Sequence, residues 1–532
     1  MEGKMPIIIN QIKAGLSQSS ESIINKALKT LRVSGTAVKQ AGLHKVSLDA
    51  RRREDIHYVC SVFVRLSDEA LEKKLCEKNK ALTYVRPSSF EPVVSTRKAE
   101  GRVVVAGFGP AGMFCALALA EQGYKPIVLE RGEDVDTRTQ TVKSFWGVGA
   151  LNENSNVQFG EGGAGTFSDG KLTTRINDPL CSYVLERFVG FGAPEEICTK
   201  AKPHIGTDNL RHIVKAIRER IISLGGEVRF NTALLDITLS GGKVTAVSTS
   251  GGEIKTSAVV LALGHSARDT FEMLAQKGVV MQAKAFSVGA RIEHLQSDVE
   301  KSLYGEHAGD PALPKGEYQL SYRENGNGVY TFCMCPGGTV VAAASEQGGV
   351  VTNGMSEFAR DGKNANSALV VGVSPEDFGS GVLDGVEFAR IIERNAFAQT
   401  GSFKAAGTTV RGFLAGKPDL DTKIEPTYSL GLVPCDFTKI FPKKVTDMMA
   451  LGLEKFSHKM SCFGDGDAVL SAPETRTSSP VRITRNDELA ALGTDNLYPC
   501  GEGAGYAGGI MSAAVDGLKV ALKIMSCIAP LN

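Results

Sequence analysis

The chain has 532 residues, 42% of them apolar and 22% charged, with a formal net charge of +1. That length is too great for one compact core and calls for several domain-sized units, while the near-neutral balance excludes recruitment of nucleic acid or an anionic membrane by an overall field. The 11 cysteines follow no framework spacing, no apolar run approaches the ~20 residues of a membrane span, and Met1–Ile9 shows no signal peptide, so a cytoplasmic protein with reduced thiols is expected.

Residues 1–95 read as a small unit of their own. Pro6–Gln11 is strand-like, and Ile23, Ile24, Ala27 and Leu31 give Glu21–Leu31 helical spacing. Val38–Leu48 and Ile56–Leu66 flank the charged turn Asp49–Asp55 as an antiparallel pair. Ser67 is the expected N-cap of a helix over Asp68–Cys76, and Ala81–Val85 supplies a last strand. The order β-α-β-β-α-β is that of the ferredoxin-like split unit. Its Arg51-Arg52-Arg53 run lacks the aromatic interleaving that stacks bases, so it reads as a solvated turn and argues against nucleic acid as a partner. A polar linker, Ser88–Gly101, follows.

Residues 96–284 alternate strand and helix. Strands are expected at Arg102–Ala106, Pro126–Leu129, Val228–Phe230 and Ala258–Leu263, helices at Ala111–Gln122 and Asn209–Leu224, and a β-meander across Lys243–Ser248 and Glu253–Thr256. From 285 to 460 the texture changes to strands (Ser287–Ile292, Glu317–Tyr322, Tyr330–Cys335, Thr339–Ala344) and then helices (Gly385–Phe397, Thr446–Lys459), the pattern of an inserted cap. Residues 461–532 return to strand-turn-helix.

The chemistry begins at Gly107-Phe108-Gly109-Pro110-Ala111-Gly112, reached directly from a valine-rich strand. The first glycine permits a tight turn, the second lets a pyrophosphate approach the backbone, and the third lets the next helix pack close to the sheet. The second strand closes on Glu130, placed to accept from ribose hydroxyls, with Arg131 beside it. Far along the chain, Gly501-Glu502 and Gly508-Gly509-Ile510 open a small-residue helix whose N-terminus suits the negative charge of a reduced flavin. A third glycine-rich loop carries Gly162, Gly163, Ala164, Gly165, Thr166 and Ser168 ahead of Lys171, and Gly264 ends the last buried strand.

The 501–510 segment resembles the second FAD-contact element of the glutathione-reductase-like flavoproteins, which implies FAD rather than NAD as the dinucleotide; Glu502 stands where those proteins commonly carry Asp. More of the chain, namely Ser47–Arg51, the 159–171 loop, Lys202–Asp208, Ala262–Asp269, Phe332–Gly338 and 500–517, resembles the bacterial FAD-dependent, or NAD(FAD)-utilising, dehydrogenases. The resemblance implies an α/β fold: a discontinuous Rossmann-like FAD-binding domain with an inserted α+β cap and an N-terminal ferredoxin-like domain. No second strand-GxGxxG-helix unit follows the first, so a nicotinamide would bind as donor or acceptor without a dedicated motif.

Four side chains are candidates for catalysis. His204 and His265 sit in glycine-bearing loops at strand ends and are candidate proton donors, against the plainer reading of structural histidines. Cys333 and Cys335 are a candidate redox pair, against the plainer reading of small buried hydrophobes, since alternate strand residues share a face and a Cys-x-Cys disulfide is strained. Arg291 and Glu293 either face substrate or pair across strands. No ligand cluster has metal-binding spacing. The expected function is hydride transfer through flavin N5 to or from a small organic substrate held under the cap; a flavoenzyme acting on RNA and a non-catalytic flavin-binding regulatory protein are the alternatives.

Overall fold

The computed structural model describes residues 7–84 and 90–531; Pro6, Val85 and Ser88, which belong to expected elements, lie outside them. In the first unit, β1 (Ile7–Ala14), β2 (Val38–Asp49), β3 (His57–Leu66) and β4 (Leu82–Tyr84) form an antiparallel sheet in the order β2-β3-β1-β4. Helices α1 (Ser20–Leu31) and α2 (Glu69–Lys78) pack against it around Ile7, Ile9, Val62 and Val64. The α2 cap is Asp68, whose carboxylate accepts from Ala70 and Leu71 N–H, rather than Ser67, which is tied to the Ala37 carbonyl instead. Backbone pairing of Val46 with Thr199 and Ala201, and a Tyr58 hydroxyl bond to Ala312, attach this unit to the rest.

The next layer is a five-stranded parallel sheet in the order β23-β11-β5-β6-β7. Its strands are β5 (Val103–Ala106), β6 (Ile127–Leu129), β7 (Glu227–Arg229), β11 (Ala258–Leu261) and β23 (Leu497–Pro499). Successive residues point to opposite faces: Val103 and Val105 join α3 (Pro110–Glu121), α5 (Leu180–Gly190), α6 (Thr207–Ser223) and α13 (Ile510–Cys527) in one core. Val104 and Ala106 join the meander β8 (Leu234–Ser240), β9 (Lys243–Thr249) and β10 (Gly252–Lys255), with α7 (Arg268–Gln276), in another. Both faces of the sheet are therefore buried, which its uninterrupted apolar strands demand. Helix α4 (Val135–Val148) leaves this layer and sends Phe145 into the cap core.

The crossing strands β12 (Met281–Ala283) and β22 (Val481–Ile483) pair with each other where the chain passes into and out of the cap. The cap is a seven-stranded sheet, β14-β15-β18-β13-β21-β19-β20. It comprises β13 (Phe286–Leu295), β14 (Ser321–Glu324), β15 (Asn327–Cys335), β18 (Asn364–Val373), β19 (Ala405–Thr409), β20 (Leu432–Pro434) and β21 (Val469–Glu474). A hairpin of β16 (Thr339–Ala342) and β17 (Thr352–Met355) lies against it. Helices α8 (Gln296–Tyr304), α9 (Pro375–Phe378), α10 (Asp384–Thr400), α11 (Val410–Ala415) and α12 (Lys443–Ser457) cover its core.

Two expectations are corrected. The expected strand Glu317–Tyr322 is extended loop as far as Leu320, and pairing starts only at Ser321. The cap does not end at 460, because Val469–Glu474 lies between β13 and β19 in the middle of its sheet. Among the described residues no helix is long and apolar enough to cross a membrane, and no group of side chains is set to hold a metal ion.

Candidate functional site

The site grows out of the β5–α3 turn. Gly107 adopts φ +100°, and a Cβ there would lie 2.2 Å from the Ala262 carbonyl oxygen of the neighbouring strand end. At Gly112 a Cβ would lie 2.0 Å from the Gly107 carbonyl oxygen, so α3 sits as close to the turn as backbone allows. Gly109 differs: its nearest neighbour would be the Cα of Gly163 at 3.8 Å. Two glycines thus serve the protein's own packing, and the middle one leaves bare backbone facing a ligand.

Pro110 opens α3 where no N–H is needed, and Gly109 ahead of it supplies no side-chain cap. Helix α13 begins equally uncapped at Gly509. The first turn of α3 packs on α13, where a Cβ on Gly517, two turns into that helix, would lie 2.1 Å from the Ala111 carbonyl oxygen. A Cβ on Gly165 would lie within 4.0 Å of both Ile510 and Pro110 at the two helix starts. Two positive helix ends therefore converge on one cleft, an arrangement suited to anions.

Glu130 is buried at the end of β6 and accepts from the N–H groups of Phe108 (2.9 Å), Gly132 (3.0 Å) and Gly160 (3.0 Å). A carboxylate has roughly four acceptor positions, so one remains for a ribose hydroxyl. Arg131 stacks on Phe159 at 4.5 Å and is fixed by Asp269 at 2.9 Å. The glycine loop that follows is shaped by Arg138, fully buried, which donates to the carbonyls of Asn156, Val157 and Glu161. Burial pushes the Glu161 carboxyl up to about 7, opposed by the Val135 N–H and Arg218.

These elements line one cleft of about 1560 Å³. Typical small-molecule sites occupy roughly 300–1,000 Å³, so this one has room for a dinucleotide and a second small molecule. Of the expected cofactor residues, Gly107, Gly109, Pro110, Ala111, Glu130, Arg131, Gly163, Ala164, Gly165, Ser168, Gly264, Glu502, Gly508, Gly509 and Ile510 line it. Gly112, Gly162, Thr166 and Gly501 do not; they stand behind the wall and shape it. Thr166 is buried with its hydroxyl donated to the Glu161 carbonyl at 3.0 Å. A Cβ on Gly162 would meet that hydroxyl, and one on Gly501 would lie 2.7 Å from the Ala111 Cβ.

The residues present fit FAD. The bare Gly109 backbone and α3 would hold the pyrophosphate, Glu130 the adenosine ribose, and the α13 N-terminus the flavin pyrimidine. The Glu502 carbonyl accepts from Gly505 N–H, while its carboxylate has no hydrogen-bond or ion-pair partner among the described residues and lines the cleft, free to accept from a ribityl hydroxyl. Burial raises its carboxyl to about 7, against the pull of Lys284. Arg476, also on the wall, spends Nε and Nη2 on Glu393 and keeps a buried Nη1 without a partner.

The opposite wall is the cap. Strand β15 bulges between Phe332 and Cys335, and Cys333 takes φ +42°, so the regular alternation of side chains fails there. Cys333 lines the cleft, while Cys335 is fully buried. Behind them Arg291, fully buried, pairs with Glu474 at 2.6 Å and donates to the Cys333 carbonyl at 2.8 Å. Burial carries Glu474 up to about 7 against the pull of Arg291. Arg291 thus pairs across strands, as one of the two expectations had it, whereas Glu293 accepts from Thr427 and Asn364. Lys171 meets Glu317 at 3.2 Å, and Glu317, despite its burial, is held at about 2 by Lys171 and Lys202.

The two histidines are placed differently, and burial lowers both. His204 lies outside the cleft lining, stacked on Phe358 and bonded to the Phe358 carbonyl at 3.0 Å. His265 lines the cleft, but burial, Arg476 and Arg268 lower it to about 3, and its Nδ1 meets the Ser266 hydroxyl at 2.9 Å. Sequence reasoning missed Arg138, Arg476 and the buried Arg268–Glu393–Arg476 cluster, in which Glu393 stays at about 2 despite burial because Arg268 and Arg476 flank it. Their neighbours in sequence give no sign of burial, since Arg138 stands between Thr137 and Thr139, and Arg476 between Thr475 and Thr477.

Comparison with known proteins agrees with this cleft. An FAD binding domain matches residues 102–164, the C-terminal domain of an FAD-dependent protein matches 285–477, and a domain of unknown function matches 5–65. FAD is the cofactor. Glycine oxidases of Bacillus cereus (11% identical, 80% of this chain and 95% of that one, TM-score 0.32) and Geobacillus kaustophilus (12%, 82% and 99%, 0.35) are loosely similar in structure. An uncharacterized protein of Clostridium beijerinckii is 48% identical over 530 residues, covering 98% of this chain and 99% of its own. The chain belongs to the same family of FAD-dependent proteins as that clostridial protein.

Proposed function

We propose that the protein is an FAD-dependent oxidoreductase, a dehydrogenase or reductase acting on a small organic substrate held between the cap and the flavin. The observation that carries this reading is the single cleft with two unlike walls, one of bare backbone and helix N-termini, the other of ionisable cap side chains. Bound FAD supplies a hydride acceptor or donor at N5. The chain supplies placement, a water-poor cap, and ionisable groups for the proton that accompanies the hydride. Cys333 and Glu502 are the groups there shifted toward neutrality without a salt-bridge partner, as proton transfer near neutral pH requires.

The test is anaerobic. The purified protein should release FAD on denaturation, and its visible spectrum is followed during titration with NADH, NADPH and a panel of small alcohols, amines and hydroxy acids. Bleaching by one of these, reversed by an acceptor, is the expected result. A flavin that dithionite reduces but no member of the panel does would count against an oxidoreductase of small molecules and favour a regulatory flavoprotein.

A further inference from the structure

We propose that Cys333 is a catalytic thiolate of this cleft, presented by the cap to the bound FAD. The proposal rests on the oxidoreductase reading and adds a residue to it. Three features of the fold converge on this thiol.

The backbone comes first. A non-glycine residue at φ +42° is sparsely populated and costs on the order of 1–3 kcal/mol unless its surroundings impose it. They do so here, because the fully buried Arg291 pins the Cys333 carbonyl from β13 at 2.8 Å. The bulge also breaks the alternation that would otherwise bury Cys333 beside Cys335, and it turns Cys333 to the cleft.

The charges come next. The Cys335 thiol donates to the Cys333 carbonyl oxygen at 3.5 Å, and it favours the ionised form of the Cys333 side chain. Arg291 from β13 and Lys171 from the glycine loop add positive charge, outweighing burial and the more distant Asp169. Glu474 on β21 is neutralised by its pair with Arg291. The resulting thiol ionises well below an ordinary cysteine, and its partner Cys335 well above, as expected when one proton is shared by two sulfurs.

The opposite wall faces it. Cys333 and Glu502 line the same cleft, together with the start of α13 that would meet the flavin pyrimidine, and the thiolate's charge adds to burial in raising the Glu502 carboxyl. A thiolate against an oxidised flavin gives a long-wavelength charge-transfer absorbance, and it is also a nucleophile that attacks small electrophiles.

Both properties are measured on the FAD-loaded protein. With iodoacetamide, a bond forms between the Cys333 sulfur and the acetamide carbon and iodide leaves, and peptide mass spectrometry reads which cysteine reacts. Cys333 is expected to react ahead of the other cysteines, with a midpoint at least one pH unit below the ~8.5 of a free thiol. The long-wavelength absorbance should rise through the same midpoint, and vanish in alkylated protein and in Cys333→Ser with FAD still bound. Lys171→Met should move the midpoint upward, a second reading that holds if the serine variant does not fold. A midpoint at or above ~8.5, or a spectrum with no long-wavelength band or one indifferent to alkylation, would overturn the proposal. Neither readout needs a turnover substrate, so failure of the oxidoreductase reading leaves a separate signature.

Discussion

The wall that cradles the dinucleotide meets it with backbone, at Gly109, Gly163 and Gly165 and at the starts of α3 and α13, whereas the cap wall presents Cys333 and Glu474, with Lys171 reaching toward it from the end of the glycine loop. Each of these three groups is held by a partner remote in sequence: Arg291 for Glu474 and for the Cys333 carbonyl, Glu317 for Lys171. At its turn the first wall has no room for a side chain on Gly107 or Gly112. The second tolerates change in shape but not in charge, since its ion pairs are removed from water. A resident cofactor needs the first kind of surface and a reaction needs the second.

The largest effect expected from that contrast is at Gly107. Gly107→Ala places a methyl 2.2 Å from a main-chain carbonyl at φ +100°. The expected cost exceeds ~4–5 kcal/mol and no FAD-loaded protein should be recovered. Full flavin content together with an unchanged unfolding temperature would show that the backbone wall is softer than described.

On the cap side, Arg291→Met leaves Glu474 buried without its partner and should destabilise the protein by ~3–4 kcal/mol in urea unfolding. Adding Glu474→Leu should recover most of that loss, because the penalty lies in the unpaired charge. No recovery in the double variant would mean that shape rather than charge governs this wall.

The smallest effect is at Glu502, which belongs to the backbone wall but behaves like the cap. Its carboxyl rises on folding from 4.5 to about 7, so the folded state binds the extra proton. Its contribution is favourable below the unfolded value and is lost as pH climbs through the folded one. Glu502→Gln should therefore flatten the decline of stability between pH 4.5 and about 7, by on the order of 1 kcal/mol because the side chain keeps some solvent contact. Unfolding temperatures across that window, with the slope unchanged in the variant, would assign the pH dependence to Glu161 or Glu474 instead.

Legibility followed the same division. Gly107, Gly109, Gly112 and Glu130 could be read from spacing, because a strand, a tight turn and a helix are local, even though the carbonyl that excludes a side chain at Gly107 belongs to Ala262, far along the chain. Thr166 was misplaced because its hydroxyl closes the loop on the Glu161 carbonyl, a contact its sequence position does not announce. The Cys-x-Cys pair looked like ordinary alternation because a bulge leaves no trace in composition. His204 and His265 were credible by location at strand ends, and only the tertiary structure shows burial and neighbouring arginines lowering both.

The sequence by itself determined the dinucleotide turn, the parallel strands around it and the return of a second glycine-rich helix start at 509, since hydrophobic period and glycine placement are properties of the local chain. The tertiary structure alone decided that α3 and α13, nearly four hundred residues apart, aim their N-termini into one cleft, and that Arg291, Glu474 and Cys333 meet across three cap strands. Such meetings depend on which strands become neighbours in a sheet. Strand order is fixed by burying whole faces together, and no short stretch of residues carries that information.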